Sequence, residues 1–392
     1  MRSIGLYIHI PFCVQKCVYC DFLSGPATRQ RQQEYVAALS REIVWESAQY
    51  TDAVVKTIFF GGGTPSILQA EEIAEILDCL RKQYHIDANA EITLEMNPGT
   101  ADQDKLLKLK RAGINRLSIG LQSADNAELK MLGRIHTYED FLRTYHQARE
   151  TDFSNINVDL MSALPGQHME NWVRTLEKVT ALQPEHISAY SLIIEEGTPL
   201  YQNLDAWAPV PEEDEDRQMY QETKRLLAQQ GYHRYEISNY AKPGYECRHN
   251  SIYWQRGVWH MADFVGFGLG ASSTVGDRRW ENTKSMKRYL SVFQEQNRKR
   301  YDSSASERVK ESAVKLSVME QMEEFMFLGL RLTEGVDLEE FRRCFGKTAD
   351  EIYGKQMRDF VAQGLLEREG QRLRLTPRGI DVSNVVFASF LF

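Results

Sequence analysis

No stretch of this sequence is apolar for the length of a membrane span, so nothing is expected to cross a bilayer. Residues 1 to 11 lack the long apolar segment and small-residue cleavage site of a secretory leader, and the expected compartment is the cytoplasm. Excess positive charge is missing too. The 47 Lys and Arg against 55 Asp and Glu give a formal net charge of −8, a poor fit to a general nucleic-acid binder. Cysteine is scarce, with six in 392 residues, and internal repeats are absent. Cys79, Cys247 and Cys344 are scattered and read as ordinary thiols. Cys13, Cys17 and Cys20 fall within eight residues, and in a reducing compartment such a tight, odd-numbered cluster argues for metal over disulfides. The remainder is ordinary globular composition, 42% hydrophobic and 26% charged, long enough for one large domain and one or two small ones.

Strand and helix patterns alternate from the start. Strands are expected at Leu6–Ile10, Val54–Phe60, Glu91–Glu95, Arg116–Gly120, Ile156–Leu160 and His186–Ile193. Helices are expected at Arg31–Ala48, Ala70–Gln83, Asp102–Ala112, Ala127–Leu132, Tyr138–Glu150 and Met169–Ala181. This order implies a parallel sheet covered by helices. Six units leave a barrel two short of the usual eight, and an open doubly wound sheet fits equally well. Either way, functional residues belong on loops at the C-terminal ends of strands. The Pro-, Glu- and Asp-rich stretch 205–218 reads as an exposed connector, and the charged stretch 295–312 as a domain boundary. Beyond it, Met322, Phe325, Met326 and Leu330 form a helical stripe. Helices at Asp337–Phe345 and Asp350–Gln363 follow, Gly364 caps the second, and a hairpin turns at Arg368–Gln371. Helices followed by a small hairpin suggest a winged-helix-like module, and that shape alone does not make it a DNA reader.

The chemistry begins at Cys13-x3-Cys17-x2-Cys20. Three thiolates on one loop can hold a cubane iron–sulfur cluster and leave its fourth iron open to a ligand. A four-thiolate zinc site would need another close partner, and Phe22 stands where a Cys-x-Cys continuation would supply it. The alternative is zinc with His9 as fourth ligand. At the strand ends, Gly62, Gly63 and Thr64 allow close backbone approach, Glu95 can accept from an ammonium or hydroxyl, and Gln122 ends the fourth strand. Arg134 can fork onto a carboxylate, and Asp159 can hold a diol. Tyr7 and Tyr19 flank the cysteine loop.

Several segments together carry a family resemblance. They are Tyr7–Cys13, Gly61–Pro65, Arg116–Ser123, Asp159 with Leu164-Pro165-Gly166, and His249-Asn250-Ser251-Ile252-Tyr253-Trp254. On them the whole chain is similar to the radical S-adenosylmethionine superfamily. Within it, the chain resembles the oxygen-independent coproporphyrinogen III oxidase group. The resemblance implies a [4Fe-4S] cluster on Cys13, Cys17 and Cys20, with S-adenosylmethionine chelating the open iron. Reductive cleavage of that cofactor would yield a hydrogen-abstracting radical. The residues implied around it are Tyr7, Tyr19, Gly62, Gly63, Thr64, Glu95, Gln122, Arg134 and Asp159. The implied fold is α/β: a partial (β/α)6 barrel over 1–204, an α+β extension over 205–300 and a winged-helix-like domain over 301–392.

The group contains oxidases that decarboxylate coproporphyrinogen III and a branch regarded as heme chaperones. The oxidases continue the cysteine loop with a fourth Cys, where this chain has Phe22. The chaperone branch carries His-Asn-x-x-Tyr-Trp, here His249 to Trp254. The resemblance therefore implies a heme carrier, with heme contacts at His249, Tyr253 and Trp254 and with Arg248 and Cys247 nearby. Expected partners are heme and heme-acceptor proteins, membrane-bound respiratory proteins among them. Read from the residues alone, His249 and Asn250 equally suit a capped turn and the aromatics a core. An oxidase and a radical enzyme on another substrate remain the alternatives. Many members of the group have a histidine where Ser272 stands, which implies either different heme binding at that position or a local change of packing.

Overall fold

The structure is a computed structural model that describes residues 2–255, 263–293 and 307–391. Six strands form its backbone: β1 (Arg2–Ile10), β2 (Ala53–Gly62), β3 (His85–Met96), β4 (Arg116–Gln122), β5 (Ile156–Ser162) and β6 (His186–Ser191). They pair in sequence order and all run parallel. Their composition explains this. Every residue of β4 is buried and all but Asp159 of β5, as expected of strands covered on both faces. The covering helices show the matching apolar stripe. Helix Ala70–Gln83, for example, buries Ile73, Ile76, Leu77 and Leu80.

The sheet stays open and is extended at both edges. On one side β7 (His233–Arg234) and β8 (Asn239–Ala241) add antiparallel to β6. On the other, β9 (Asp263–Phe267) lies parallel to β1, followed antiparallel by β10 (Ser272–Val275), β11 (Arg278–Asn282) and β12 (Lys310–Lys315). The partial barrel and its α+β extension thus share one sheet, twelve-stranded among the described residues.

Two local expectations change. The acidic stretch 205–218 is only partly a connector, because helix Glu213–Gln229 begins inside it. Its first turn is Glu213, Asp214, Glu215 and Asp216, where the positive end of the helix dipole favours carboxylates. Of the stretch 295–312, residues up to 306 lie outside the described residues, and β12 continues the large sheet. A second core starts at Met322 and gathers Phe325, Phe341, Tyr353 and Phe390 from helices Val318–Gly329, Leu338–Phe345, Ala349–Ala362 and the chain's end. The strands β13 (Val336–Asp337), β14 (Leu366–Glu369) and β15 (Arg372–Leu375) complete this winged-helix-like module.

The parallel run fixes where chemistry can occur. The loops after β1 to β6 all emerge at one end of the sheet.

Candidate cofactor site beside an open cavity

The cysteine loop leaves β1 at Phe12 and returns at Gly25. Cys13 N donates to Gly25 O (3.0 Å), and Gly25 N donates to Pro11 O (3.1 Å). The β2 glycines press against its base. Gly63 N donates to Ile10 O at 2.9 Å, and a Cβ on Gly63 would lie 2.6 Å from Phe12 O. Gly62 has φ +107°, and a Cβ there would strike the His9 ring. These glycines are required by close packing of strand ends, as well as being free to face a ligand.

Cys13, Cys17 and Cys20 are all partly exposed free thiols facing a cavity of about 320 Å3. Thr64 Oγ1 donates to Cys13 Sγ (3.4 Å), and Arg134 Nη1 donates to Cys17 Sγ (3.6 Å). Asn97 ties these donors together: its amide nitrogen donates to Thr64 Oγ1 (3.0 Å), and its oxygen accepts from Arg134 Nη2 (2.7 Å). Arg134 Nε is buried without a hydrogen-bond partner, the kind of vacancy a bound carboxylate fills. Among the described residues no three His, Cys, Asp or Glu side chains converge as a single-ion site requires. Both His9 nitrogens are engaged, by Tyr7 OH (3.1 Å) and Leu23 O (3.0 Å), which removes the support for zinc with His9. Three thiols around a cavity, two of them receiving hydrogen bonds, fit a [4Fe-4S] cluster with an open iron.

The same cavity is lined by Tyr19, Gly62, Gly63, Thr64, Glu95, Gln122, Arg134 and Asp159. Glu95 accepts from Gly62 N (3.1 Å), and burial, reinforced by the Asp159 charge, raises its pKa to about 8. Burial also raises Asp159, countered by hydrogen bonds from Asn157 and Ser118. Gln122 sits at φ +74° where β4 loses register with β5, and its Oε1 accepts from Tyr190 OH (3.1 Å). Strain at a ligand-lining position is a common mark of a built site. Sequence reasoning does not reach Asn97 or Tyr190. Asn97 carries a signal, its place directly after β3, but Asn-Pro-Gly reads there only as a turn. Tyr190 lies inside a strand expectation and shows nothing.

A second cavity of about 710 Å3 adjoins the first and shares Lys16, Phe22, Ser24, Gly62 and Glu95 with it. Tyr7 lines this one and not the cluster cavity, together with His9, Tyr253, Phe264, Ser272 and Lys284. The His249–Trp254 segment is a short helix, Arg248–Trp254, and it divides three ways. His249 is 1% exposed, with Nδ1 bonded to Thr57 Oγ1 (2.8 Å) and Nε2 to Tyr253 OH (2.8 Å). Burial, aided by the Arg116 charge, lowers its pKa to about 3, so the ring is neutral. Tyr253 reaches the larger cavity and packs edge-on to Phe264. Trp254 turns away to stack under Arg331 of the C-terminal module, 4.2 Å from guanidinium carbon to ring centroid. Cys247 is buried, donates to Glu91 Oε1 (3.6 Å), and burial pushes its thiol up to about 12. Arg248 binds Asn89 O outside both cavities. Glu91 anchors the helix by accepting from Arg248 N (3.1 Å) and His249 N (3.0 Å).

Comparison with known proteins agrees with this geometry. The radical SAM superfamily model matches residues 7–179, and the HemN C-terminal domain model matches residues 316–382. Heme chaperone HemW of Bacillus subtilis is 34% identical over 98% of this chain and 98% of its own length. HemW of Escherichia coli is 35% identical over 100% and 99%. The mouse radical S-adenosyl methionine domain-containing protein 1, mitochondrial, is 32% identical over 99% and 87%. Among solved structures, coproporphyrinogen III oxidase (HemN) of E. coli superposes with a TM-score of 0.84 at 24% identity, covering 99% of this chain and 90% of that one, which establishes the fold. With an open cluster cavity, an adjoining cavity and full-length likeness to those relatives, the chain belongs to the HemW family of radical S-adenosylmethionine proteins.

Proposed function

We propose that this protein binds heme as cargo and passes it to acceptor proteins, with a [4Fe-4S] cluster on Cys13, Cys17 and Cys20 and S-adenosylmethionine beside it. The observation that carries the reading is the adjacency of the two cavities, with Gly62 and Glu95 in their common wall. The relatives named heme chaperones support it along the whole chain. The cluster, when bound, supplies one-electron chemistry to the S-adenosylmethionine at its open iron.

The chain's own residues supply the rest. Thr64 and Arg134 donate to two of the thiols and temper their charge. The free Arg134 Nε is placed for a carboxylate, and Asp159 for ribose hydroxyls. Glu95, held protonated near neutral pH, can donate as well as accept. In the larger cavity Tyr7, Tyr253 and Phe264 offer aromatic surface to a macrocycle, and Lys16 and Lys284 offer charge to its propionates. Tyr253 is the member of the His249–Trp254 segment that meets this space, and His249 holds its hydroxyl. Ser272 lines the same cavity, so the missing histidine of many relatives falls at the proposed heme site. We place delivery in the cytoplasm, with membrane-bound respiratory proteins as candidate acceptors. Among the described residues no helix is long and apolar enough to cross a membrane.

The test is anaerobic cluster reconstitution followed by heme titration, with a stoichiometric Soret shift expected. Conversion of coproporphyrinogen III to protoporphyrinogen IX with reductant and S-adenosylmethionine would overturn the carrier reading. A Cys13→Ser variant that retains a normal [4Fe-4S] spectrum would overturn the cluster assignment.

A further inference from the structure

Large apolar side chains are exposed on the connections after β1, β4 and β6, the first two of which carry the cysteine loop and Arg134. Val14 and Phe22 lie in the connection after β1, Ile135 in the one after β4, and Ile193, Tyr201 and Leu204 in the one after β6, the last two on short helical turns, with Ile193 71% and Phe22 62% exposed. Contacts tie the segments that carry them together. Val14 and Ile135 line one small recess beside Cys17. Leu200 N donates to Val18 O (2.9 Å), which ties the 199–204 segment to the cysteine loop. Leu192, just before Ile193, packs against the small core of Leu132, Met161 and Leu164, as Tyr19 of the cysteine loop does. Clustered exposure of this kind marks an interaction surface, whereas apolar residues scattered singly do not.

Charge on one flank is of a single sign. From Ile193 to Asp216 the chain carries eight carboxylates and no Lys or Arg. Glu213 and Asp214 are 90% and 85% exposed, and Arg217 is the cation that pairs with both. An isologous contact between two copies would set this acidic flank against itself. An anionic lipid surface would repel it. A basic protein face matches it.

We propose that this rim docks the heme acceptor, through a partner surface with an apolar centre and Lys- and Arg-rich flanks. The proposal rests on the heme-carrier reading and names its partner by chemistry. Phe22 of the cysteine loop lines both cavities, so this rim begins at the proposed cargo space. Cytoplasmic loops of membrane proteins carry an excess of Lys and Arg and have the required charge.

The experiment uses the full chain, loaded with cluster and heme, and cytochrome c as probe, a protein whose lysines ring an apolar edge. Calorimetry is expected to show binding that weakens with ionic strength and disappears when the probe's lysines are succinylated. Ile193→Ser with Leu204→Ser, which remove apolar surface without adding charge, should weaken binding by at least about tenfold. Glu213→Lys with Asp214→Lys should do the same, while cluster absorption and Soret stoichiometry stay unchanged in both variants. Unchanged affinity in both variants, or equal binding of the succinylated probe, overturns the proposal. So does dimerisation, or binding of phosphatidylglycerol vesicles, that the same substitutions abolish. The Soret titration separates the two claims. A chain that takes up no heme overturns the carrier reading, whereas a heme-loaded chain with indifferent surface variants overturns only the docking face.

Discussion

Gly63 has no room for a side chain. A Cβ would lie 2.6 Å from Phe12 O and 2.9 Å from Ile10 O, both backbone atoms that cannot rotate away. Gly63→Ala must therefore push the base of the cysteine loop, at about 1–3 kcal/mol. Its expected outcome is a chain that folds but holds less than wild-type iron and sulfide after reconstitution. Glu95 offers a pH test. Its pKa rises from an ordinary carboxyl value to about 8 in the folded state, so the folded protein keeps a proton that the unfolded chain releases. The stabilisation from that proton is complete below the unfolded pKa and is lost as pH rises toward about 8. Calorimetry of the cofactor-free chain should show Glu95→Gln losing less Tm than wild type between about pH 5 and pH 8. At this scale the sequence was informative near the C-terminal ends of strands, where the cysteine loop follows β1 and where Glu95 and Asp159 sit in the last residues of β3 and β5. It was silent on Tyr190, because a tyrosine within an apolar strand looks the same whether it faces core or cavity.

The helix Arg248–Trp254 shows what an element adds to its residues. Positions 249 and 253 are four apart and share a face, so His249 and Tyr253 meet, and Trp254 points elsewhere. The motif reads as one heme-binding string in the sequence, and the helix sends its members to three environments. Nothing in the local pattern shows which way so short a helix faces. That is decided by Glu91, from β3, which holds its first two amides. Glu91→Ala leaves those amides without their acceptor and removes one of the negative charges, Asp159 being another, that act on the buried Arg116. A loss of about 2–4 kcal/mol is expected, measured by denaturant unfolding, with weaker heme uptake because Tyr253 loses its support. The edge strand β12 and its neighbour β11 escaped sequence reading for a related reason. They are short and charged, Arg-Arg-Trp-Glu-Asn and Lys-Glu-Ser-Ala-Val-Lys, the second as an exposed edge often is. Their alternation is too brief to stand out.

Across the whole molecule the two largest hydrophobic cores among the described residues meet at a partly polar seam, where Ile237 packs on the second core and Arg279 pairs with Glu324. Thr333 N donates to Tyr235 O (3.0 Å), Glu236 bridges to Leu332, and Arg331 covers Trp254. Phe341, fully buried in the second core against Phe325 and Tyr353, tests their independence. Phe341→Ala should cost that core about 3–5 kcal/mol. Amide hydrogen exchange is expected to lose protection over residues 318–391 and keep it over β1 to β6. Equal loss in both regions would show one cooperative unit instead. The thin partition between the two cavities has a consequence for ligand exchange. Gly62 and Glu95 face both spaces, so a molecule that shifts Glu95 from one side alters the wall met from the other. Any such coupling is reciprocal: the factor by which S-adenosylmethionine changes heme affinity is the factor by which heme changes S-adenosylmethionine affinity. Loading or emptying the cofactor site would then set how tightly the cargo is kept, with no turnover required.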